Sequence, residues 1–294
     1  MRLGGMQLSM LEDAGLNRLL KDLYSPSRKN RAMLHAGLTM IALLGLLLIA
    51  GSWIARYDPA ALGAGEPLMP PSAEHWFGTD ALGRDLFSRT VQGFRVSTLI
   101  CFAATAVTAV PGILAGIIAG YFQGAADRIL SRLMEMLLAL PGLLLALVLI
   151  AKYGSSIQTL IVALGITGIP SFFRVTRNET KSMAAELFVE SARSIGASDW
   201  RIMIRHILPN IFPTLAVLLS MRVGLYLLMS SGLGFIGLGI QPPTAELGAL
   251  VASGKEYFQT SWWLLAIPLL SIFIPVLALN LFSEGLRDVQ DDLT

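Results

Sequence analysis

The residues able to do chemistry in this chain lie in polar stretches set between long apolar runs. Residues 174–210 carry Arg174, Arg177, Lys181, Arg193, Arg201 and Arg205. Inside that stretch, Glu190-x-Ala192 is followed by Gly196 four residues on and, after a short gap, by Leu208-Pro209. The pattern offers recognition rather than bond making. Residues 186–195 suit a short helix, Gly196 breaks it, and Ser198 caps a second that runs through Arg205. Leu208-Pro209-Asn210 is expected to end that helix and open the next apolar run. Two short helices joined at a glycine make a compact knob. In it Ala192 allows close packing and Gly196 a close turn, while Glu190, Arg193 and Asp199 provide polar contacts to a partner's cleft. A second polar stretch, HWFGTDALGRDLFSRTVQGFRVS at 75–97, reads as a helix starting near Asp80, with Thr79 or Asp80 as N-cap. Leu82, Leu86, Phe87, Val91 and Phe94 recur at helical spacing, and Arg84, Asp85, Arg89, Gln92 and Arg95 take the other face. This predicts an amphipathic helix on a membrane surface or against a bundle.

Glu135 and Arg222 fall within apolar runs, where ionisable groups are costly and mark function by default. Glu135 lies near the end of its run, within reach of Arg132 or Arg128. Arg222 lies deeper, where it can face an aqueous path and meet an anionic group such as a peptide carboxylate. No Gly-x-x-x-x-Gly-Lys-Ser/Thr phosphate loop occurs, so ATP hydrolysis is not expected on this chain. His35, His75 and His206 lie in different regions, and Cys101 is the single cysteine, so neither a metal cluster nor an internal disulfide is expected. No nucleophile–base–acid set suggests a protease, and no spaced Asp and His residues suggest a proton relay.

The elements that position these residues are membrane spans. The chain is 54% hydrophobic and only 14% charged, against about 25% charged residues in a soluble domain. Apolar runs of about 20 residues, enough to cross a bilayer, recur at about 34–55, 96–122, 133–151, 157–173, 211–239 and 262–283. The fold class expected is all-α, with six transmembrane helices. The third and fourth spans form a hairpin across Lys152–Ser156. Gly165, Gly168 and Pro170 interrupt the fourth. Pro111, Pro141, Pro170, Pro268 and Pro275 favour kinks. Gly112, Gly116 and Gly120 in the second span, and Ser230, Ser231, Gly232, Gly234, Gly237 and Gly239 in the fifth, suit closely packed central helices. The first span, richer in Leu, suits the rim.

Lys and Arg concentrate in residues 1–34 and 174–210, with fewer in the alternate segments, which hold Arg56, Arg84, Arg89, Arg95, Lys152 and Lys255. By the positive-inside rule both termini and the knob face the cytoplasm. The expected organisation is a cytoplasmic tail over 1–33 and a first transmembrane helix over 34–55. An extracytoplasmic loop with the amphipathic helix follows over 56–95. A five-helix core over 96–283 contains the 174–210 loop, and a cytoplasmic tail closes the chain over 284–294. The first apolar run, too long for a signal peptide and preceded by a mixed charged segment, reads as an uncleaved membrane anchor. The net charge of +2 averages over unlike regions and gives no reason to expect nucleic acid.

Four motifs in order carry a resemblance. FGTDALGRDLFSR resembles the signature of the dipeptide/oligopeptide/nickel branch of ABC importer permeases, in particular its C-type, second subunit. MEMLLALP at 134–141, the loop over 190–209 and GFIGLGIQPPTAELGALV at 234–251 are similar to further motifs of that family. Ser191 stands where the family often has Ala, and His206 where the general motif has Ile. The resemblance implies the type I ABC importer permease fold in a bacterial inner membrane. It implies an ATPase-coupling loop built from Glu190, Ala192, Arg193, Gly196, Ala197, Asp199, Arg205, Leu208 and Pro209. It also implies an outer region for binding-protein docking near Gly78, Thr79, Asp80, Gly83, Arg84, Asp85 and Arg89. The partners implied are a homologous second permease, two ABC ATPase subunits that bind ATP and Mg, and an extracytoplasmic binding protein; no cofactor is expected on this chain. Di- or oligopeptides are the implied cargo, with nickel or a metal chelate as the near alternative. An ion-gradient-driven carrier is the remote alternative. It needs coupling-ion residues in the spans and usually an internal repeat, and neither is evident.

Overall fold

The structure, a computed structural model, describes residues 28–291; most of the expected N-terminal tail and the end of the C-terminal tail lie outside the described residues. The chain forms α1 (Arg28–Ile54), α2 (Leu86–Phe122), α3 (Gly124–Leu138), α4 (Gly142–Tyr153), α5 (Ile157–Met183) and α6 (Leu187–Ser194). Then come α7 (Asp199–Phe235), α8 (Leu247–Lys255) and α9 (Trp263–Asp291). Helices α1, α2, α5, α7 and α9 are long and apolar enough to cross a membrane. The α3–α4 pair adds a sixth crossing if taken as one span.

Several boundaries differ from expectation, each for a physical reason. The third span, expected over 133–151 with a kink at Pro141, begins earlier, at Gly124, and bends sharply where the proline was expected to act. It breaks at residues 139–141 with a bend of 74°, because Pro141 sits extended at φ −57°, ψ 121° and has no N–H to continue the ladder. The fourth span is not interrupted: α5 runs unbroken through Gly165, Gly168 and Pro170 and on to Met183. Arg174, Arg177 and Lys181 therefore ride on a helix rather than in a loop. The helix expected from Asp80 starts at Leu86 and is continuous with the second span, so α2 has 37 residues and no separate surface helix precedes it.

Glycines set the packing. A Cβ at Gly112, Gly116 or Gly120 would lie 2.5–2.6 Å from Phe172 Cβ, Thr176 Cβ or the Arg177 carbonyl, so α2 lies backbone to backbone on α5. The glycines at the end of α7 serve another purpose. Gly234, with Gly239 just beyond the helix and Gly248 of α8, makes room for the returning segment, where a Cβ on Gly248 would come 2.3 Å from the Ser231 carbonyl. Helix α1 stays at the rim, with 6% of its apolar window buried. It meets α9 where Gly37 faces Phe282 and Gly285 faces Leu34. The main apolar cluster joins α2, α4, α5, α7 and α8 around Ile100, Leu160, Tyr226 and Leu247. A separate, smaller cluster lies at the other end, around Ile117, Val189, Ile202 and Ile207. The first end is called the loop end below and the second the knob end.

Candidate functional site

At the knob end, the helix α6 closes by a Schellman turn. Gly196 N–H donates to the Arg193 carbonyl at 3.0 Å and Ala197 N–H to the Ala192 carbonyl at 3.1 Å, with Gly196 at φ +83°. That left-handed conformation is one glycine adopts without strain. The Ser198 hydroxyl then caps α7, accepting from Arg201 N–H. The second helix does not end at Leu208-Pro209. It passes through a π-helical segment, Ile202–Ile207, where Leu208 N–H reaches back to the Met203 carbonyl, and continues as the fifth span. Pro209 has no N–H to donate and its ring crowds the preceding turn, so the wider winding just before it accommodates the proline without a break. His206 sits half-buried in this segment rather than at a helix end.

The knob's inner face is apolar. Val189, Ala192, Ile202, Met203 and Ile207 bury against Ile117 and Tyr121 of α2. Tyr121 is the residue that sequence reasoning missed here. Its hydroxyl donates to Asp199 Oδ1 at 2.6 Å and accepts from the Arg193 guanidinium at 3.1 Å. Two of the three side chains expected to meet a partner, Arg193 and Asp199, are thus engaged within the chain. Glu190, Arg201 and Arg205 remain exposed, beside Leu187, Ile195 and Trp200, which are 77%, 86% and 62% exposed. Leu208 is half-buried and Pro209 exposed. The knob therefore presents an apolar rim with mixed charges.

At the loop end, the expected docking residues turn inward. Asp80 accepts from the N–H groups of Leu82 and Arg84 and pairs with Arg84 Nε at 2.7 Å and Arg89 Nε at 3.4 Å. Arg89 also donates to the Pro59 carbonyl. Thr79 Oγ1 donates to the Glu66 carbonyl and accepts from Met69 N–H. Asp85, not Thr79 or Asp80, is the N-cap of α2. One carboxylate oxygen accepts from Ser88 N–H and Oγ, and the other meets His75 Nδ1 at 2.9 Å. Gly78 and Gly83 hold positive φ beside backbone carbonyls, where a Cβ would lie 2.3 Å from Met69 O and Gly65 O. These residues build the loop and have little hydrogen-bonding capacity left for a partner. The large apolar side chains exposed there are Leu62, Trp76 and Leu82, beside exposed Glu66, Ser72 and Glu74, with Phe258 and Trp262 also exposed beyond α8.

Glu246, within the quoted glycine-rich motif but not singled out, is fully buried. It caps α8 through Ala249 N–H and accepts from Ser97 Oγ of α2 at 3.2 Å. Burial pushes its carboxyl above the usual glutamate range, opposed by the hydrogen bonds from Gly248, Ala249 and Ser97. Of the charges within apolar runs, Glu135 is exposed and paired with Arg132 at 3.3 Å. Arg222 is half-buried, its guanidinium 5.8 Å from the Tyr226 ring centroid. It lines an open groove with Met221, Leu225, Leu228, Val276 and Asn280. The two charges are not brought together. A bidentate pair that sequence reasoning missed, Asp127 with Arg177, ties α3 to α5. Among the described residues no group of His, Cys, Asp or Glu is placed to hold a metal.

Residues 112–293 match the family described as binding-protein-dependent transport system inner membrane component. The chain is 40% identical over 252 residues to the probable D,D-dipeptide transport system permease protein DdpC of Escherichia coli (strain K12), covering 86% of this chain and 85% of that one. It is 36% identical over 285 residues to the glutathione transport system permease protein GsiD of Pectobacterium atrosepticum, covering 97% and 94%. It is 36% identical over 278 residues to the di/tripeptide transport system permease protein DppC of Pseudomonas aeruginosa, covering 92% and 91%.

Proposed function

This chain belongs to the binding-protein-dependent transport system inner membrane components, the permease subunits of ABC importers, and we propose that its cargo is a short peptide. The protein is a multi-pass component of the bacterial inner membrane whose role is transport rather than catalysis. The observation that carries the cargo class is the near full-length similarity to three permeases named for a D,D-dipeptide, glutathione and di- or tripeptides. No separate observation favours nickel or a chelate.

In this reading the chain pairs with a homologous second permease, and ATP and Mg act on two separate ATPase subunits. The knob and both termini face the cytoplasm, in keeping with the distribution of Lys and Arg. One ATPase receives the knob on its rim of Leu187, Glu190, Ile195 and Trp200. The binding protein docks at the loop end on the exposed Leu62, Trp76 and Leu82, with the inward-turned GTDALGRD motif as the scaffold beneath. Arg222 lines the path and attracts the peptide carboxylate; Arg222→Ala then lowers transport while leaving the amount of assembled complex unchanged.

The test is ATPase activity of the complex rebuilt in lipid with its second permease, ATPases and binding protein. Stimulation by binding protein loaded with di- and tripeptides or glutathione is expected. Stimulation only by nickel with a chelator would overturn the cargo class. No stimulation of an assembled, ATP-binding complex by either would overturn the docking scheme as well.

A further inference from the structure

Among the described residues, the side-chain hydrogen bonds that tie the knob to another helix both go to Tyr121, on the helix that also anchors the opposite end. We infer that Tyr121 is a positioning residue that couples the knob to α2, so that α2 acts as the rod between the ATPase side and the binding-protein side. The inference rests on the reading of the knob as the ATPase-docking element.

The geometry of the hydroxyl is specific. A tyrosine O–H has one hydrogen to give and lone pairs to accept with. Here the hydrogen goes to Asp199 Oδ1 at 2.6 Å and the oxygen accepts from Arg193 at 3.1 Å. Arg193 is in the last turn of α6, and Asp199 opens α7. The two flank the Gly196 turn, so one hydroxyl clamps both halves of the knob. Both bonds involve a charged partner and are of the stronger kind. The guanidinium carbon also lies 5.6 Å from the Tyr121 ring centroid. Tyr121 itself is buried against Val189, Ala192 and Ile202, whereas Arg193 and Asp199 are exposed. The clamp thus has a buried side on α2 and an exposed side on the knob.

What α2 does with that attachment follows from its length and its other contacts. It is one helix of 37 residues, about 55 Å at helical rise. Gly112, Gly116 and Gly120 lock it to α5 just before the clamp. At its start, Asp85 and Arg89 bind it into the loop-end network, and Ser97 holds Glu246 and so α8. A displacement of the knob that Tyr121 transmits has one continuous helix, packed on α5 and tied to the loop end, along which to reach that end. Without the hydroxyl, the apolar face still holds the knob in place, but its two polar ties to α2 are gone.

The experiment uses the full complex in proteoliposomes, with a di- and tripeptide mixture plus glutathione as cargo and the ratio of cargo moved to ATP hydrolysed as the readout. Tyr121→Phe keeps the ring and its packing and removes only the hydroxyl. The expected result is normal assembly, ATP hydrolysis within about twofold of wild type, and a transport-to-ATP ratio reduced about fivefold or more. Asp199→Asn keeps an acceptor for the hydroxyl and retains the wild-type ratio; Asp199→Ala lowers it as Tyr121→Phe does. The Tyr121→Phe/Asp199→Ala double variant is no worse than either single one, because the two act as a unit. An unchanged ratio in Tyr121→Phe overturns the inference, and so does a loss of assembled complex that accounts for the whole defect. Failure of the underlying reading is distinct: there the wild-type complex itself shows no cargo-stimulated ATPase activity.

Discussion

The loop end and the knob end are built on the same plan and put it to opposite uses. At each, a polar surface segment runs without a break into a 37-residue helix that carries it into the membrane. At the loop end the polar side chains of the GTDALGRD motif, with His75, are turned inward, while Glu66 and Glu74 stay exposed. Asp80, Thr79, Asp85, His75 and Arg89 pair with one another and the loop backbone, with Arg89 Nε in an ion pair with Asp80 but no hydrogen bond, and all but Asp80 are buried. At the knob end Arg193 and Asp199 are engaged, through one tyrosine, while Glu190 and the apolar rim are left outward. A polar motif in a membrane protein is therefore not a docking surface by virtue of its composition. What decides is whether its donors and acceptors are already matched within the fold.

The sharpest way to break this contrast is Asp85→Ala. It removes the α2 cap and leaves the buried His75 and Ser88 donors without their acceptor, at a cost of about 3 kcal/mol. Early thermal unfolding in detergent and proteolytic nicking of residues 57–85 are expected. A variant that stays folded and loses only its response to binding protein would make the loop end a docking surface after all.

At the knob the corresponding change, Glu190→Arg, leaves stability within about 0.5 kcal/mol because the side chain is exposed. It weakens binding of the ATPase by about tenfold through charge reversal at the rim. Co-purification at matched expression reads this out, and equal recovery with wild type would remove Glu190 from the interface.

The smallest effect sharpens the loop end alone. Desolvation raises the Glu246 carboxyl, so the folded protein keeps this proton to a higher pH than the unfolded chain does. Its contribution is fully present below the ordinary glutamate range and is lost as pH rises through the raised value. Glu246→Gln, which cannot titrate, should flatten that dependence. Between about pH 5 and pH 8 its melting temperature should fall less than that of wild type. Parallel curves for the two proteins would show that Glu246 titrates as an ordinary carboxylate.

Much of the fold was legible because its signals are local. Long apolar runs announce spans, Gly196 announces a turn, and Ser198 announces a cap, since each acts on backbone within a few residues of itself. Several of the boundaries that failed were ones where a backbone signal competed with side-chain pairing or helix packing. Thr79 and Asp80 are good caps by type, but Thr79 is drawn to Glu66 and Asp80 to Arg84 and Arg89, so the helix waits for Asp85. Gly165, Gly168 and Pro170 read as breaks, yet the two glycines let α5 close on Val107, Thr108 and Tyr226.

The chain's residues alone determined that this is a helical membrane protein with a glycine-jointed knob, because hydropathy and backbone chemistry act over short stretches; that it is a permease came from the resemblance of four motifs to a known family. Only the tertiary structure decided which polar groups are free. Tyr121 and Asp199 are 78 positions apart and Ser97 and Glu246 149. A hydrogen bond is set by distance in space, and no spacing along the chain encodes that until the helices have packed.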